Sequence, residues 1–301
     1  MLWLPGTTCM KYGSDCVPVG ASTSPSTTAL SGPREFGFIR RPSTMSTPDA
    51  KRVKPNNDDA PYELVYWPGI PGRGELIRLL LEEAGAPYSD NKAITTVLGY
   101  MSPDNKGDAT NPPVFAPPVL KHGNLFINQT PNILLYLAPR LGLAPAEGNA
   151  LFHLNEIVLT IIDGLVNEAH DTHHPIASSL TYEDQMPEAK KRSERFINER
   201  LPKYLGYVQR VLHAKTSGDG PWLYGDRLTY ADLVLFQCVN GTQYAFPKAM
   251  DKLKKSRKYD GVFKLCDVVQ ERPRIKEYLG SERRSAYSDG IWRHYPELDQ
   301  E

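Results

Sequence analysis

Tyr66 closes a short alternating run, Tyr62-Glu63-Leu64-Val65-Tyr66-Trp67, that breaks at Pro68-Gly69-Ile70-Pro71-Gly72 before apolar residues resume at helical spacing. A phenol at the C-terminal end of a strand and beside a helix start can project into a cleft. The unpaired N–H groups of the helix favour negative charge there, so the chemistry available to Tyr66 is hydrogen-bond donation to an anion. By strand position alone, Tyr66 reads equally as an aromatic filling the core. Arg73 stands near the positive end of the helix, where a cation is poorly placed unless an anion balances it; the alternative is a solvated first-turn residue. Gln129 and Thr130 precede Pro131, with Thr130 suited to the N-cap and Pro131 to the first position of a helix that runs to Arg140 and is ended by Gly142. A carboxylate can dock at such a terminus, although most caps merely satisfy orphan donors. Asp163, in Ile161-Ile162-Asp163-Gly164, reads as an acid inside an apolar stripe, where an unpaired carboxylate is costly; an intrachain salt bridge would meet that need. His170, His173 and His174, with Glu168 and Asp171 close by, share a helix face and raise a metal reading. Pro175 ends the helix at that point and no Cys or second cluster completes a site, so no metal is assigned and the histidines are expected to line a cleft.

The elements that must hold these residues read as strand, helix, strand, irregular loop, two antiparallel strands and helix. The hairpin is Ala116-Pro117-Pro118-Val119-Leu120, a turn at His122-Gly123-Asn124, and Leu125-Phe126-Ile127. Two consecutive prolines cannot donate to a central ladder, so this strand is entered at an edge or turn, leaving backbone groups near Pro117 free to pair with a ligand. The loop from Val97 to Phe115 carries Pro103, Pro112 and Pro113 and is long for a compact domain, as binding segments often are. After the linker Leu143-Ala144-Pro145-Ala146-Glu147-Gly148 the chain turns almost wholly helical: Asn149 to His173, then Glu188 to Lys215, then a strongly apolar helix from Tyr230 through Cys238. Thr229-x-x-Asp232 resembles a capping box for that last helix, a structural feature rather than a site.

With 301 residues, 40% of them hydrophobic, the chain can bury the cores of two modest domains, and no apolar run is expected to span a membrane. Thirty-five basic and 35 acidic residues cancel, so no global field draws nucleic acid or an anionic membrane. The densest basic run, Lys252-Lys254-Lys255-Arg257-Lys258, reads as a solvated helix end. Cys9, Cys16, Cys238 and Cys266 show neither a C-x-x-C spacing nor a His partner, and the last two lie in apolar helical surroundings as buried thiols. Residues 1–60 are rich in Ser, Thr, Pro and Gly and lack apolar periodicity; they are expected to be a disordered extension, with organelle targeting or a start at Met45 as further readings.

The order and spacing of Tyr66-Trp67, Gly72-Arg73-Gly74-Glu75-Leu76-Ile77-Arg78, Pro117-Pro118-Val119-Leu120, Gln129-Thr130 and Gly225-Asp226-Arg227-Leu228-Thr229-Tyr230-Ala231-Asp232 resemble the cytosolic glutathione transferases, in the tyrosine-using branch of the alpha, mu, pi and sigma classes. The resemblance covers nearly everything from Pro61 onward. It departs at Pro131, where the family usually has Asn or a small residue, and in a turn after Tyr66 one residue longer than in the pi class. It implies an α/β thioredoxin-like domain over 61–142 with Pro118 as its cis-proline, a linker over 143–149, and an all-α domain over 150–301 that holds a hydrophobic co-substrate site. The implied activity is glutathione transfer to hydrophobic electrophiles, with an isomerase, a peroxidase or a non-catalytic binder as alternatives. Tyr66 and Arg73 would be catalytic. Tyr100, Lys106, Pro117, Pro118, Gln129 and Thr130 would bind glutathione, and Asp163 would reach the γ-glutamyl amine across a dimer interface. Trp67, His170, Tyr287 and Trp292 would line the hydrophobic pocket, with Tyr295 nearby. Glutathione enters as co-substrate with no cofactor. The chain is expected to be a cytoplasmic homodimer without nucleic-acid or membrane partners.

Overall fold

The computed structural model describes residues 60–300, which lie within one compact unit, Pro55–Glu301. The expectations for the N-terminal extension, Cys9 and Cys16 included, fall outside the described residues.

The first half is a four-stranded mixed sheet with helices. β1 (Tyr62–Val65), α1 (Gly74–Ala84), β2 (Tyr88–Asn91), α2 (Ile94–Met101), β3 (Val119–His122), β4 (Leu125–Asn128) and α3 (Thr130–Arg140) follow in order. The strands lie β2-β1-β3-β4, with β1 parallel to β2 and antiparallel to β3, and β3 antiparallel to β4. Alternation along the strands sends Leu64 and Leu120 into the main core and Val65 and Val119 into a smaller one on the opposite face with Val97. α1 has the apolar run Leu76, Ile77, Leu79, Leu80 and Leu81 wholly buried, and Gly85 at φ 65° ends it in the left-handed region.

Two expectations change here. The stretch read as irregular from Val97 begins inside α2, which buries only Val97 and leaves Ile94 and Leu98 exposed; so short and apolar a helix shows no amphipathic period. Thr130 is the first helical residue of α3 and not its cap. Gln129 takes the cap position at φ 69°, and no side chain caps the helix.

The second half is helical. One run from Asn149 to Asp171 comprises α4 (Asn149–Ile162), a π turn (Asp163–Asn167) and α5 (Glu168–Asp171). Against expectation, this run is long and apolar enough to cross a membrane by length and composition, but Leu154, Ile157, Val158 and Ile161 are buried and α4 packs against α8. A second run holds α6 (Met186–Arg195), a π turn (Phe196–Arg200) and α7 (Leu201–Leu212). α8 (Tyr230–Ala245) is the central, nearly all-buried helix, and its capping box is formed: Asp232 accepts Thr229 N–H at 2.6 Å and Leu223 N–H at 2.8 Å. α9 (Pro247–Lys255), α10 (Asp260–Gln270) and α11 (Pro273–Leu279) complete the layer. Cys238 and Cys266 are buried free thiols, and burial pushes both well above the ordinary thiol range.

Candidate functional site

Strand register brings the site together. Val65 pairs with Val119 and Val119 with Asn128, so one further step places Pro118 opposite both Tyr66 and Gln129. Tyr66, Pro118 and Gln129 thus form a row across β1, β3 and β4 at one end of the sheet, with strands spaced about 4.8 Å. The Pro117–Pro118 bond is cis.

Tyr66 is 5% exposed, and its backbone N–H extends the β1–β2 pairing by bonding Asn91 O at 3.1 Å. Its ring lies against the turn into α1, and a Cβ on Gly74 would stand 2.8 Å from Tyr66 Cγ, so the ring fits only where the backbone is bare. The phenol oxygen accepts the Arg73 backbone N–H at 2.8 Å. This spends one lone pair on the helix start and leaves the O–H as a donor. Burial pushes the phenol above its ordinary range while the N–H groups of Arg73 and Gly74 pull it down; the first effect prevails, so the proton stays on at neutral pH.

Arg78 organises the turn from behind. It is buried, donates to Pro71 O at 3.1 Å, pairs with Glu75 at 3.2 Å and Asp90 at 2.8 Å, and sets its guanidinium 5.7 Å from the Tyr66 ring centroid. Glu75 also accepts the Tyr278 hydroxyl at 3.1 Å, and burial raises its carboxyl above the usual range despite Arg78 and Arg284. The side chain of Arg73 points to the helical half: Arg73 Nη2 donates to Asn167 Oδ1 at 2.5 Å, and Asn167 Nδ2 to Asp163 Oδ1 at 3.1 Å. One turn beyond Asn167 come His170, His173 and His174, whose rings pack at 4.8 to 5.1 Å from one another. Burial first, then neighbouring positive charge, holds His170 down at about 3. A segment near the C-terminus crosses the same region. Ser288 Oγ donates to Gly69 O at 3.1 Å, and His173 Nε2 lies 2.9 Å from Ile291 O.

A family model described as the glutathione S-transferase C-terminal domain matches residues 170–282. A glutathione S-transferase of Plasmodium falciparum is 23% identical over 227 residues, 74% of this chain and 98% of its own length. Glutathione S-transferase P of Caenorhabditis elegans is 28% identical over 220 residues, 72% of this chain and 91% of its own. Among solved structures, the Pi-class glutathione S-transferase of Onchocerca volvulus matches with a TM-score of 0.56 at 22% identity, over 72% of this chain and 91% of that one. Residues 170–282 carry the glutathione S-transferase C-terminal domain, and the chain is similar to glutathione S-transferases over nearly their whole length. Its fold is the thioredoxin-like layer and helical layer of the solved glutathione S-transferases.

Within this transferase fold, Thr130 Oγ1 is buried without a hydrogen-bond partner directly after the exposed Gln129, a polar atom left for a ligand at the end of the row. Tyr100 and Trp67 belong to the other face of the sheet, and Lys106 lies on the loop after α2. Trp67 and Tyr100 pack on the Val65, Val97 and Val119 cluster, and exposed Lys106 donates to Pro103 O at 2.6 Å. Trp67 therefore does not share the wall with His170, because it alternates away from Tyr66 along the strand.

Asp163 departs from expectation: it is exposed rather than set in an apolar stripe, and its partner is Asn167. Trp292 is a second correction. It is 1% exposed, donates to Leu165 O at 3.2 Å and packs on Gly241, so it anchors the tail in the core rather than lining a pocket. Tyr287 is largely packed as well, its hydroxyl donating to Asn240 Oδ1 at 2.7 Å and its ring edge-on to Trp292. Tyr295 stacks on Tyr182 at 3.8 Å. Sequence reading missed Asn167 as the partner of Arg73 and Arg78 as the brace of the turn. The only available signal was their spacing from Asp163 and Arg73.

Proposed function

We propose that this chain activates glutathione at Tyr66 and transfers its thiolate to hydrophobic electrophiles. The observation that carries the reading is the buried Tyr66 phenol, its oxygen taken by Arg73 N–H at 2.8 Å and its proton retained. A free thiol ionises near 8.5, so only a few per cent of glutathione is thiolate at neutral pH. Donation from Tyr66, with the N-terminal field of α1, favours the anion; a preference of about 1.4–2.8 kcal/mol lowers the thiol by about one to two units. The thiolate then adds to an electrophilic carbon or displaces a leaving group. Glutathione would lie along the row. An extended tripeptide spans about 10 Å, close to two strand spacings of about 4.8 Å. Its cysteinyl backbone would meet the Pro117–Pro118 edge and its γ-glutamyl carboxylate Gln129 and the unpartnered Thr130 hydroxyl. Tyr100 and Lys106 would hold the glycyl end, Arg73 would shape the thiolate site, and His170 would face the electrophile. No bound cofactor is needed.

The same reading includes a cytoplasmic homodimer. α4 turns Phe152, 67% exposed, Leu159, 40% exposed, and Asp163 outward at helical spacing. A second copy on this face would cover Phe152 and Leu159 and bring Asp163 to the partner's glutathione. Sedimentation at nanomolar concentration should give twice the chain mass; a fully active monomer would remove both the dimer and the Asp163 role. For the activity, aryl halides, epoxides, enones and hydroperoxides with glutathione form the decisive panel. Glutathione-dependent turnover of at least one supports transfer, and turnover of none rejects it.

A further inference from the structure

Between Ser102 and Pro117 a single residue is buried, and it is polar: Asn111, 5% exposed. From Pro103 to Thr110 the loop offers no large apolar side chain, so apolar contact cannot hold it in place. Yet this is the stretch that carries Lys106.

The hold comes from the edge of the sheet. β4 has β3 on one side and no strand on the other, which leaves the Asn124 carbonyl and the Phe126 N–H facing outward. Asn111 pairs with both through its side chain: Nδ2 donates to Asn124 O and Oδ1 accepts Phe126 N–H, each at 2.8 Å. One donor and one acceptor set against residues two apart is what a parallel strand would present, so the amide stands in for a peptide group. The same residue closes the loop behind it. Nδ2 also donates to Asp108 Oδ2 at 2.8 Å, Asn111 N–H donates to Asp108 Oδ1 at 2.8 Å, and Asp108 N–H donates to Asn111 O at 2.9 Å. Gly107 stands at φ 74° against this knot, and a Cβ there would meet Asn111 O. Asn105 continues the chain of contacts, accepting Gly107 N–H at 3.0 Å and donating to Tyr100 O at 2.8 Å. Lys106 and Tyr100 are therefore carried on a ring of polar bonds that Asn111 ties to β4.

We infer that Asn111 is a positioning residue for the glycyl end of glutathione: by pairing with the β4 edge it keeps Lys106 and Tyr100 within reach of the glycyl carboxylate, acting through the loop rather than on the ligand. This rests on the transferase reading, in which those two residues hold that end. Asn111→Asp keeps the shape and the acceptor, but it removes the donor to Asn124 O and sets a second carboxylate against Asp108. Asn111→Ala removes both bonds to β4, and Gly107→Ala strains the knot from its other side.

Calorimetric titration of the full chain with glutathione and with γ-glutamylcysteine, which lacks the glycyl residue, tests this. In each variant glutathione should weaken by about five- to tenfold and γ-glutamylcysteine should stay within about twofold of the parent, a coupling between residue 111 and the glycyl group that a double cycle isolates. Retained γ-glutamylcysteine binding also reports an intact fold. In turnover, the Michaelis constant for glutathione should rise by the same factor while kcat holds, because Tyr66 is fixed by the core and not by this loop. Equal weakening of both thiols, a fall in kcat, or an unmoved affinity for glutathione would overturn the assignment. A parent that binds both thiols but transfers neither would sink the transferase reading and leave the role of Asn111 to the binding cycle; a parent that binds neither would sink both.

Discussion

The two ends proposed for glutathione are built in opposite ways. The Tyr66 end is core: the ring is fitted over Gly72 and Gly74, its oxygen is held by backbone and its turn is braced by buried Arg78. The Lys106 end is surface: a loop held by local bonds, Asp108 accepting Thr110 N–H at 2.7 Å and the exposed Lys106 ammonium donating to Pro103 O. Activation needs a hydrogen bond aimed to a fraction of an ångström, which a packed core supplies; anchoring a carboxylate needs only charge in reach, which a loop supplies. Changes at the first end should therefore alter rate and stability together, and changes at the second should alter binding alone.

The strongest way to break this contrast is Gly74→Ala, whose Cβ would meet the Tyr66 ring at 2.8 Å. A displaced phenol should lower the rate by about 100-fold, with a drop in melting temperature; an unchanged rate would show that the ring is not held as described. Thr130→Ala should come next, raising the Michaelis constant for glutathione by about 10- to 100-fold at unchanged fold, the loss of one bond to a charged carboxylate. A constant that did not move would leave Thr130 out of the site. Acid supplies a third test, on the helical side. Burial holds His173 down at about 2 and His174 at about 4, against about 6.5 when unfolded. The unfolded chain takes up protons first, so this stability is complete above about pH 6.5 and is lost as pH falls below it. Melting should fall between pH 7 and pH 5, and His173→Gln should flatten that slope; parallel slopes would contradict the burial. The smallest effect belongs to Lys106→Ala, a change of about two- to fivefold in the Michaelis constant, weakened further by salt, as for exposed pairs generally.

The sheet half and its row of site residues were legible because strand, turn and cap chemistry are local: Tyr66, Pro118 and Gln129 each end an element, and register does the rest. What was hidden depends on partners far along the chain. Nothing near Arg73 announces Asn167, and nothing near Trp292 announces Leu165 and Gly241, so an aromatic tail looked like a pocket wall. Asp163 was misjudged because its neighbours Ile161, Ile162, Gly164 and Leu165 are apolar. The spacing Phe152, Leu159, Asp163 marks the exposed face of the run, and the π turn after α4 blurs that period.

The central claim is that one phenolic hydroxyl ionises the thiol, and the pH–rate profile of Tyr66→Phe tests it most directly. The variant should fold and bind glutathione as the parent does, turn over a standard electrophile about 10- to 1000-fold more slowly at pH 6.5, and recover toward the parent rate above pH 9, where glutathione ionises unaided. A variant that matches the parent at pH 6.5, or whose deficit stays constant through pH 9, would contradict thiolate stabilisation by Tyr66.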